Sequence, residues 1–185
     1  MLLAKVKILS FHGYLYLKND EDIPDIPLKI KIEYKIISNT KELVKHSYDK
    51  KIKKDIVKFK HFLKHGCKMY LVLCNGDIAG YYHVSKLSDF KAYLYNDYFL
   101  FKGGDKYYIF FCHTFDEYRG HGIYSNILTQ ICKDTIKKAG KVFISTDMKN
   151  IASQKGIEKA GFGKLGMLKY KKIGCITFIS IFKKL

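Results

Sequence analysis

The amino-acid sequence predicts a mixed α/β domain in which strands outnumber helices. Three features carry that expectation. Segments with strand-like alternation, or short apolar runs bounded by turn residues, recur along the chain. Strand–helix–strand units fill the second half. A glycine-rich turn, Gly120-His121-Gly122, leads directly into an apolar-periodic helix. With 185 residues, 48% of them hydrophobic, the chain can bury a core, and one domain over residues 1–185 is expected.

Residues 1–18 alternate loosely and fit one or two strands. Asn19-Asp20-Glu21-Asp22, followed by Pro24 and Pro27, reads as an acidic loop. Leu28 to Ile36 alternates apolar and polar with period two, the pattern of a half-buried strand. Ser38-Asn39-Thr40 can cap a helix from Lys41 to about Tyr48. Lys50 to His65 carries Ile52, Ile56, Phe59, Phe62 and Leu63 at helical spacing, ended by Gly66. Met69–Cys74, Asn75-Gly76-Asp77 and Ile78–Val84 form a hairpin signal. Residues 86–105 follow, with Tyr93, Tyr95, Tyr98, Phe99 and Phe101 among them. Tyr107–Phe115 is an apolar strand. Ile123–Ile136 is the helix after the glycine turn, ended by Lys137-Lys138-Ala139-Gly140. Val142–Thr146 is a short buried strand. Asn150–Ala160 is a short helix stopped by Gly161, and strands near 164–171 and 174–183 close the chain.

The formal charge is +17, which suits an anionic partner. The lysines are spread along the chain, and Lys, Ile, Tyr and Asn enrichment with almost no Arg or Pro favours codon bias from an A+T-rich genome as the source of the charge. Nucleic acid is favoured by charge alone, and no nucleic-acid motif accompanies it. The five cysteines form no C-x-x-C and no metal-ligand spacing with His, so no metal is expected and buried reduced thiols are. The N-terminal Met1-Leu2-Leu3-Ala4-Lys5 lacks the apolar run and cleavage site of a secretion signal. The Ile173–Phe182 run is too short to span a bilayer. A cytoplasmic protein without a membrane partner is expected.

Arg119 is the one arginine among 34 basic residues. A planar five-donor guanidinium suits phosphate oxygens better than an ammonium does. The adjacent glycines let the backbone turn tightly and expose its N–H groups. Free N–H groups and the dipole at a helix start attract anions. Arg119 to Tyr124 therefore reads as a pyrophosphate cradle.

Two motifs resemble those of the GNAT superfamily of acyl-CoA-dependent N-acyltransferases. Thr114-Phe115-Asp116-Glu117-Tyr118-Arg119-Gly120-His121-Gly122-Ile123 is similar to the family's strand end plus [Q/R]-x-x-G-x-[G/A]. Asn150 to Phe162 resembles its N-x-x-[A/S]-x-x-x-Y-x-K-x-G-F. The resemblance covers residues 107–162 closely, and residues 28–87 in outline.

The resemblance implies a mostly antiparallel central sheet with one splayed parallel strand pair, flanked by helices. It implies acetyl-CoA as cosubstrate, with the pantetheine arm in the gap and the pyrophosphate on residues 119–124. The implied cofactor-binding residues are Thr114, Phe115, Arg119, Gly120, His121, Gly122, Ile123, Tyr124, Asn150 and Ser153. The thioester would lie near the side chains sharing the Thr114 face, which by period two are Cys112, Phe110 and Tyr108. The chain departs from the pattern twice. Tyr124 stands where Gly or Ala is usual, and its ring must turn away from the pyrophosphate, toward solvent or the acyl end. Ile157 stands where a Tyr often protonates the departing thiolate. Tyr124 and Tyr108 are the candidate catalytic residues in its absence. Cys112 reads as a small buried hydrophobe, and His113 as a core or edge histidine.

The implied function is N-acetylation of a primary amine by direct attack in a ternary complex. An amino-sugar or other small amine is the first expectation for the acceptor, and a protein amine the second. The alternative is a CoA-binding module of the same fold without efficient turnover. The aromatic stretch Tyr93–Phe101 suits an acceptor pocket, a homodimer seam or plain sheet packing.

Overall fold

The computed structural model describes residues 8–19, 22–87, 105–173 and 176–184. The aromatic stretch Tyr93–Phe101 and Cys175 lie outside them. The strands are β1 (Ile8–Lys18), β2 (Glu33–Ile37), β3 (Lys68–Cys74), β4 (Asp77–Lys86), β5 (Tyr107–Thr114), β6 (Val142–Asp147), β7 (Gly163–Ile173) and β8 (Ile176–Lys184). The helices are α1 (Thr40–Val44), α2 (Lys50–Lys53), α3 (Ile56–Lys64), α4 (Ile123–Ala139) and α5 (Ile151–Lys159). Among the described residues the eight strands make one sheet in the order β2-β3-β4-β5-β6-β1-β7-β8. Every neighbouring pair is antiparallel except β5 with β6, which is parallel.

The strand alternation sorts side chains onto two faces. Tyr70, Val72, Tyr82, Val84, Ile109, Val142 and Ile144 meet α4 and α5 on one face. Ile123, Ile127, Leu128 and Ile131 of α4 are buried there. Each such side chain contributes about 1.5–3 kcal/mol when fully removed from water. Met69, Leu71, Tyr81, Tyr108, Phe110 and Phe143 take the other face, against Leu43, Ile52, Phe59, Phe62 and Leu63.

The hairpin follows its turn chemistry. Asn75 (φ 51°) and Gly76 (φ 88°) are both left-handed, as a two-residue turn between twisted strands requires. Asn39 caps α1, its Oδ1 accepting from the Glu42 N–H at 3.0 Å.

Three expectations are corrected. The strand expected over Leu28–Ile36 is confined to Glu33–Ile37. Its partner β3 pairs from Glu33↔Leu73 onward, and past Cys74 the chain turns into β4, so residues before 33 have no ladder to join. They run instead as a strap over the start of α4. There Lys29 N–H donates to the His121 carbonyl (3.2 Å) and Asn126 Nδ2 to the Ile26 carbonyl (2.8 Å). The helix expected over Lys50–His65 is two, because Asp55 leaves helical geometry (φ −113°, ψ 10°) between α2 and α3. Ile52, Phe59, Phe62 and Leu63 are nonetheless all buried on one side. The helix expected from Lys41 to Tyr48 ends at Val44.

The first strand occupies a position no local pattern indicates. β1 lies inside the sheet, between β6 and β7. Gly13 permits this close approach: a Cβ there would lie 2.2 Å from the Thr146 carbonyl oxygen.

Candidate active site

The site begins where β5 and β6 part. Their parallel pairing runs Tyr107↔Val142, Tyr108↔Phe143 and Ile109↔Ile144, then stops, although β5 continues to Thr114 and β6 to Asp147. The gap opens into a cavity of about 700 Å³. Phe110–Thr114 line one wall, Ile144–Asp147 the other, and Phe11 of β1 also borders it.

A bulge accompanies the divergence. Tyr81 pairs with His113 and His83 with Phe110, so Phe111 and Cys112 stand against Tyr82 alone. Phe111 takes φ 46°, uncommon for a residue with a large side chain. The extra residue shifts the side-chain phase. Cys112 packs toward α4 and Thr114 bonds Tyr82 there, whereas Tyr108 and Phe110 belong to the opposite core. The expected common face of Thr114, Cys112, Phe110 and Tyr108 is thus broken between Phe110 and Cys112. Phe115 N–H donates to the Ala79 carbonyl of β4 at 3.0 Å. Strand alternation then turns the N–H groups of Thr114 and Cys112 from β4 toward the gap.

The glycine turn closes one end. Gly120 (φ 81°) and Gly122 (φ 85°) are both left-handed. The first helical bond of α4 is Asn126 N–H to the Gly122 carbonyl (3.0 Å). Among the described residues, the N–H groups of Gly120 to Ser125 reach no backbone carbonyl. A Cβ on Gly120 would meet nothing within 4 Å, so the cradle is open there. Arg119 Nε donates to the Thr114 carbonyl (3.1 Å), and its Nη2 pairs with Asp116 Oδ1 at 2.9 Å. The guanidinium side chain is 60% exposed, and a solvated pair of this kind exchanges partners easily.

Thr114, Arg119, Gly120, Gly122, Ile123, Tyr124, Asn150 and Ser153 all line this cavity, whereas Phe115, His121 and Tyr108 do not. Phe115 packs on the opposite core, edge-on to Tyr81 at 6.0 Å. His121 acts through its backbone, as acceptor for the strap. Tyr108 reaches the cavity through a hydroxyl bond to Ser145. Asn150 caps α5, accepting from Ser153 N–H at 3.0 Å, while also facing the cavity.

Tyr124 does not turn to solvent. Its ring stacks on Tyr82 (6.1 Å) and its hydroxyl meets Ser153 Oγ at 2.9 Å. Burial, and then the nearby Cys112, push the phenol well above its ordinary pKa. Any lowering by the helix start is outweighed, and Tyr124 stays protonated. Burial also pushes the Cys112 thiol up to about 12, so it is no thiolate nucleophile at neutral pH. Ile157, at the usual proton-donor position, is fully buried in the core.

Sequence reasoning missed Phe11, Ser145, Thr146, Asp147 and the cavity face of His113. The His113 ring stacks on Tyr81 (5.5 Å), and burial, then the Arg119 charge, lower its pKa. Among the described residues no group of His, Cys, Asp and Glu could hold a metal, and no helix is long and apolar enough to cross a membrane.

A model of the acetyltransferase (GNAT) family matches residues 34–162. Comparison with curated proteins gives no match. Among solved structures, a GNAT-family acetyltransferase from Colwellia psychrerythraea superposes with TM-score 0.57 at 15% identity, covering 92% of this chain and 57% of its own. A GCN5-related N-acetyltransferase-like protein from Streptococcus suis gives 0.54 at 14%, covering 90% and 62%. The glucosamine N-acetyltransferase region of a fungal multi-domain GH3 β-N-acetylglucosaminidase gives 0.59 at 11%, covering 94% and 21%. At these identities the likeness is one of fold. This chain spans less than two thirds of each of the three.

Proposed function

Since the chain belongs to the acetyltransferase (GNAT) family, we propose that it transfers an acetyl group from acetyl-CoA to a primary amine by direct attack in a ternary complex. Residues 107–162 are the proposed acetyl-CoA-binding core. The observation that carries this is the β5–β6 gap ending in an open glycine cradle. The unpaired N–H groups of Gly120 to Ser125 fit a pyrophosphate, and a cavity of about 700 Å³ fits a pantetheine arm.

When bound, acetyl-CoA supplies an acyl thioester. The chain's part is to hold it, orient the amine and manage charge. Backbone N–H groups of β5 aimed into the gap can stabilise charge developing on a carbonyl oxygen. Close alignment of amine and thioester supplies much of the acceleration. Tyr124 stays protonated and lines the cavity, so its hydroxyl can donate a hydrogen bond to the leaving sulfur. The Tyr108–Ser145 hydroxyl pair is the proposed relay for the proton the amine loses. An amino-sugar or other small amine remains the proposed acceptor, with a protein amine second. The chain is proposed to act in the cytoplasm.

The second reading, a CoA-binding module without efficient turnover, is favoured by Ile157 at the usual donor position. Thiol release from acetyl-CoA with glucosamine and a panel of other primary amines separates the two. Release with any amine supports the enzyme. Calorimetric CoA binding without release supports the module.

Two variants test the parts. Arg119→Ala is expected to weaken CoA binding at least about tenfold, because a charge-assisted phosphate contact is worth roughly 1.5–3 kcal/mol. Unchanged affinity by calorimetry would remove Arg119 from the cradle. Tyr124→Phe is expected to lower kcat roughly 2- to 10-fold with the KM for acetyl-CoA kept, since it deletes one neutral hydrogen bond. A wild-type kcat would remove Tyr124 from the leaving sulfur.

A further inference from the structure

We propose that His83 is a positioning residue for acyl transfer: its imidazole holds the Phe111 carbonyl and thereby fixes the bulge that aims β5 backbone N–H groups into the gap. This rests on the acyltransferase reading of the cavity.

His83 is fully buried in β4. Phe59, Phe62, Phe110 and Phe111 surround its ring at centroid distances of 5.0, 5.2, 5.6 and 5.9 Å. Nδ1 lies 3.1 Å from the Phe111 carbonyl oxygen. A carbonyl can only accept, so Nδ1 carries the hydrogen. In the neutral ring Nε2 is then a bare acceptor, and it has no hydrogen-bond partner among the described residues. Burial lowers the His83 pKa to about 4, which keeps the ring neutral at physiological pH.

Packing alone does not account for a histidine here. Phenylalanine would fill the same aromatic cage and bury no unsatisfied nitrogen. What histidine adds is the bond to Phe111, the residue with the left-handed backbone. Such a conformation persists when its surroundings over-determine it. The bond sits at the critical place. The β5–β6 pairing ends at Ile109, and the unmatched residues Phe111 and Cys112 follow. The second unmatched residue, Cys112, turns its thiol back on the same strand, donating to the Phe110 carbonyl at 3.6 Å. Without the bulge, β5 would keep simple register with β4, and the side chains and N–H groups beyond it would change faces.

His83→Phe and His83→Asn test this. The Asn amide can donate near the Nδ1 position, and Phe cannot. The expected result for His83→Phe is a folded protein with a melting temperature near wild type, because the unsatisfied Nε2 is gone but the Phe111 carbonyl loses its donor, with a CoA affinity within twofold and a kcat at least tenfold lower. In the ligand-free protein its Cys112 and Thr114 amides, turned from the gap to pair with β4, are expected to exchange with solvent at least tenfold more slowly. His83→Asn is expected to regain most of kcat. A His83→Phe protein with wild-type kcat and unchanged amide exchange overturns the proposal. So does a kcat loss in both variants that merely follows lost melting temperature. Wild-type histidine ¹⁵N spectra give a test that needs no variant and no activity. They should show the Nδ1–H tautomer with constant shifts from pH 5 to 8, and an Nε2–H tautomer overturns the proposal. A wild-type protein that releases no thiol with any amine overturns the acyltransferase reading instead, and the tautomer and exchange results then decide whether His83 holds the bulge.

Discussion

Gly122→Val is expected to weaken CoA binding at least about tenfold and to lower the melting temperature by more than about 4 °C. Gly122 begins α4 in the left-handed conformation, φ 85°. A side chain there carries strain of roughly 1–2 kcal/mol, and a β-branched one more. Space is lacking as well. A Cβ would stand 2.9 Å from the Pro27 carbonyl oxygen. That oxygen belongs to the strap, which Lys29 and Asn126 tie to the start of α4. Either the strap or the turn must give way, and the turn presents the N–H groups of the cradle. For a chain of this size about 1 kcal/mol corresponds to roughly 2–4 °C, hence the thermal estimate. Gly76→Val is the control. Gly76 has φ 88° and open space around its Cβ position, in a hairpin turn outside the cavity lining. It should lose stability and keep CoA affinity. Equal CoA affinity in Gly122→Val and wild type, measured by calorimetry, would contradict the cradle.

Gly156→Ala should abolish most turnover while leaving helix content unchanged. In an exposed helix interior this change stabilises by about 1 kcal/mol. Here the new Cβ would stand 2.4 Å from Tyr124 Cδ1 and 2.9 Å from its Cε1. Tyr82 stacks on the same ring at 6.1 Å, which restricts how far Tyr124 can shift. Its remaining course is into the cavity it lines, with loss of the Ser153 hydrogen bond. The expected outcome is a lower melting temperature, weaker CoA binding and a kcat below that of Tyr124→Phe. Adding Tyr124→Leu to Gly156→Ala should restore the melting temperature, because the two positions share one space and their effects do not add. A single Gly156→Ala protein as stable and active as wild type would show that the ring has another place to go.

Much of the site was legible in residues 107–162. The glycine turn, the helix behind it, the Asn150 cap and the place of Arg119 beside the turn follow from short-range chemistry, whereas Ser153 was implied only by the family resemblance. The placement of Tyr108 did not follow. Period two put it on the Thr114 face, and one unmatched residue at the Phe111–Cys112 bulge reversed that. Tyr124 was placed beside the helix start, where the dipole favours an anion. Burial, which sequence does not display, dominates and pushes its pKa the other way. The Leu28–Ile32 segment has strand alternation, yet it lacks a neighbour to pair with and becomes the strap.

The sequence by itself determined the parts whose causes lie within a few residues. Asn75-Gly76 supplies the two left-handed residues of a hairpin turn, and Asn39 and Asn150 supply side-chain caps. Gly120 and Gly122 supply the left-handed residues of the turn before α4, and the apolar period of α4 selects the face it buries. The tertiary structure alone decided the parts whose causes lie far apart in the chain. β1 enters the sheet between β6 and β7, bringing Phe11 to the cavity. The β5–β6 divergence and the bulge held by His83 likewise arise between strands. Strand pairing joins residues by backbone groups that every residue carries, so the choice of partner leaves little trace in side-chain order.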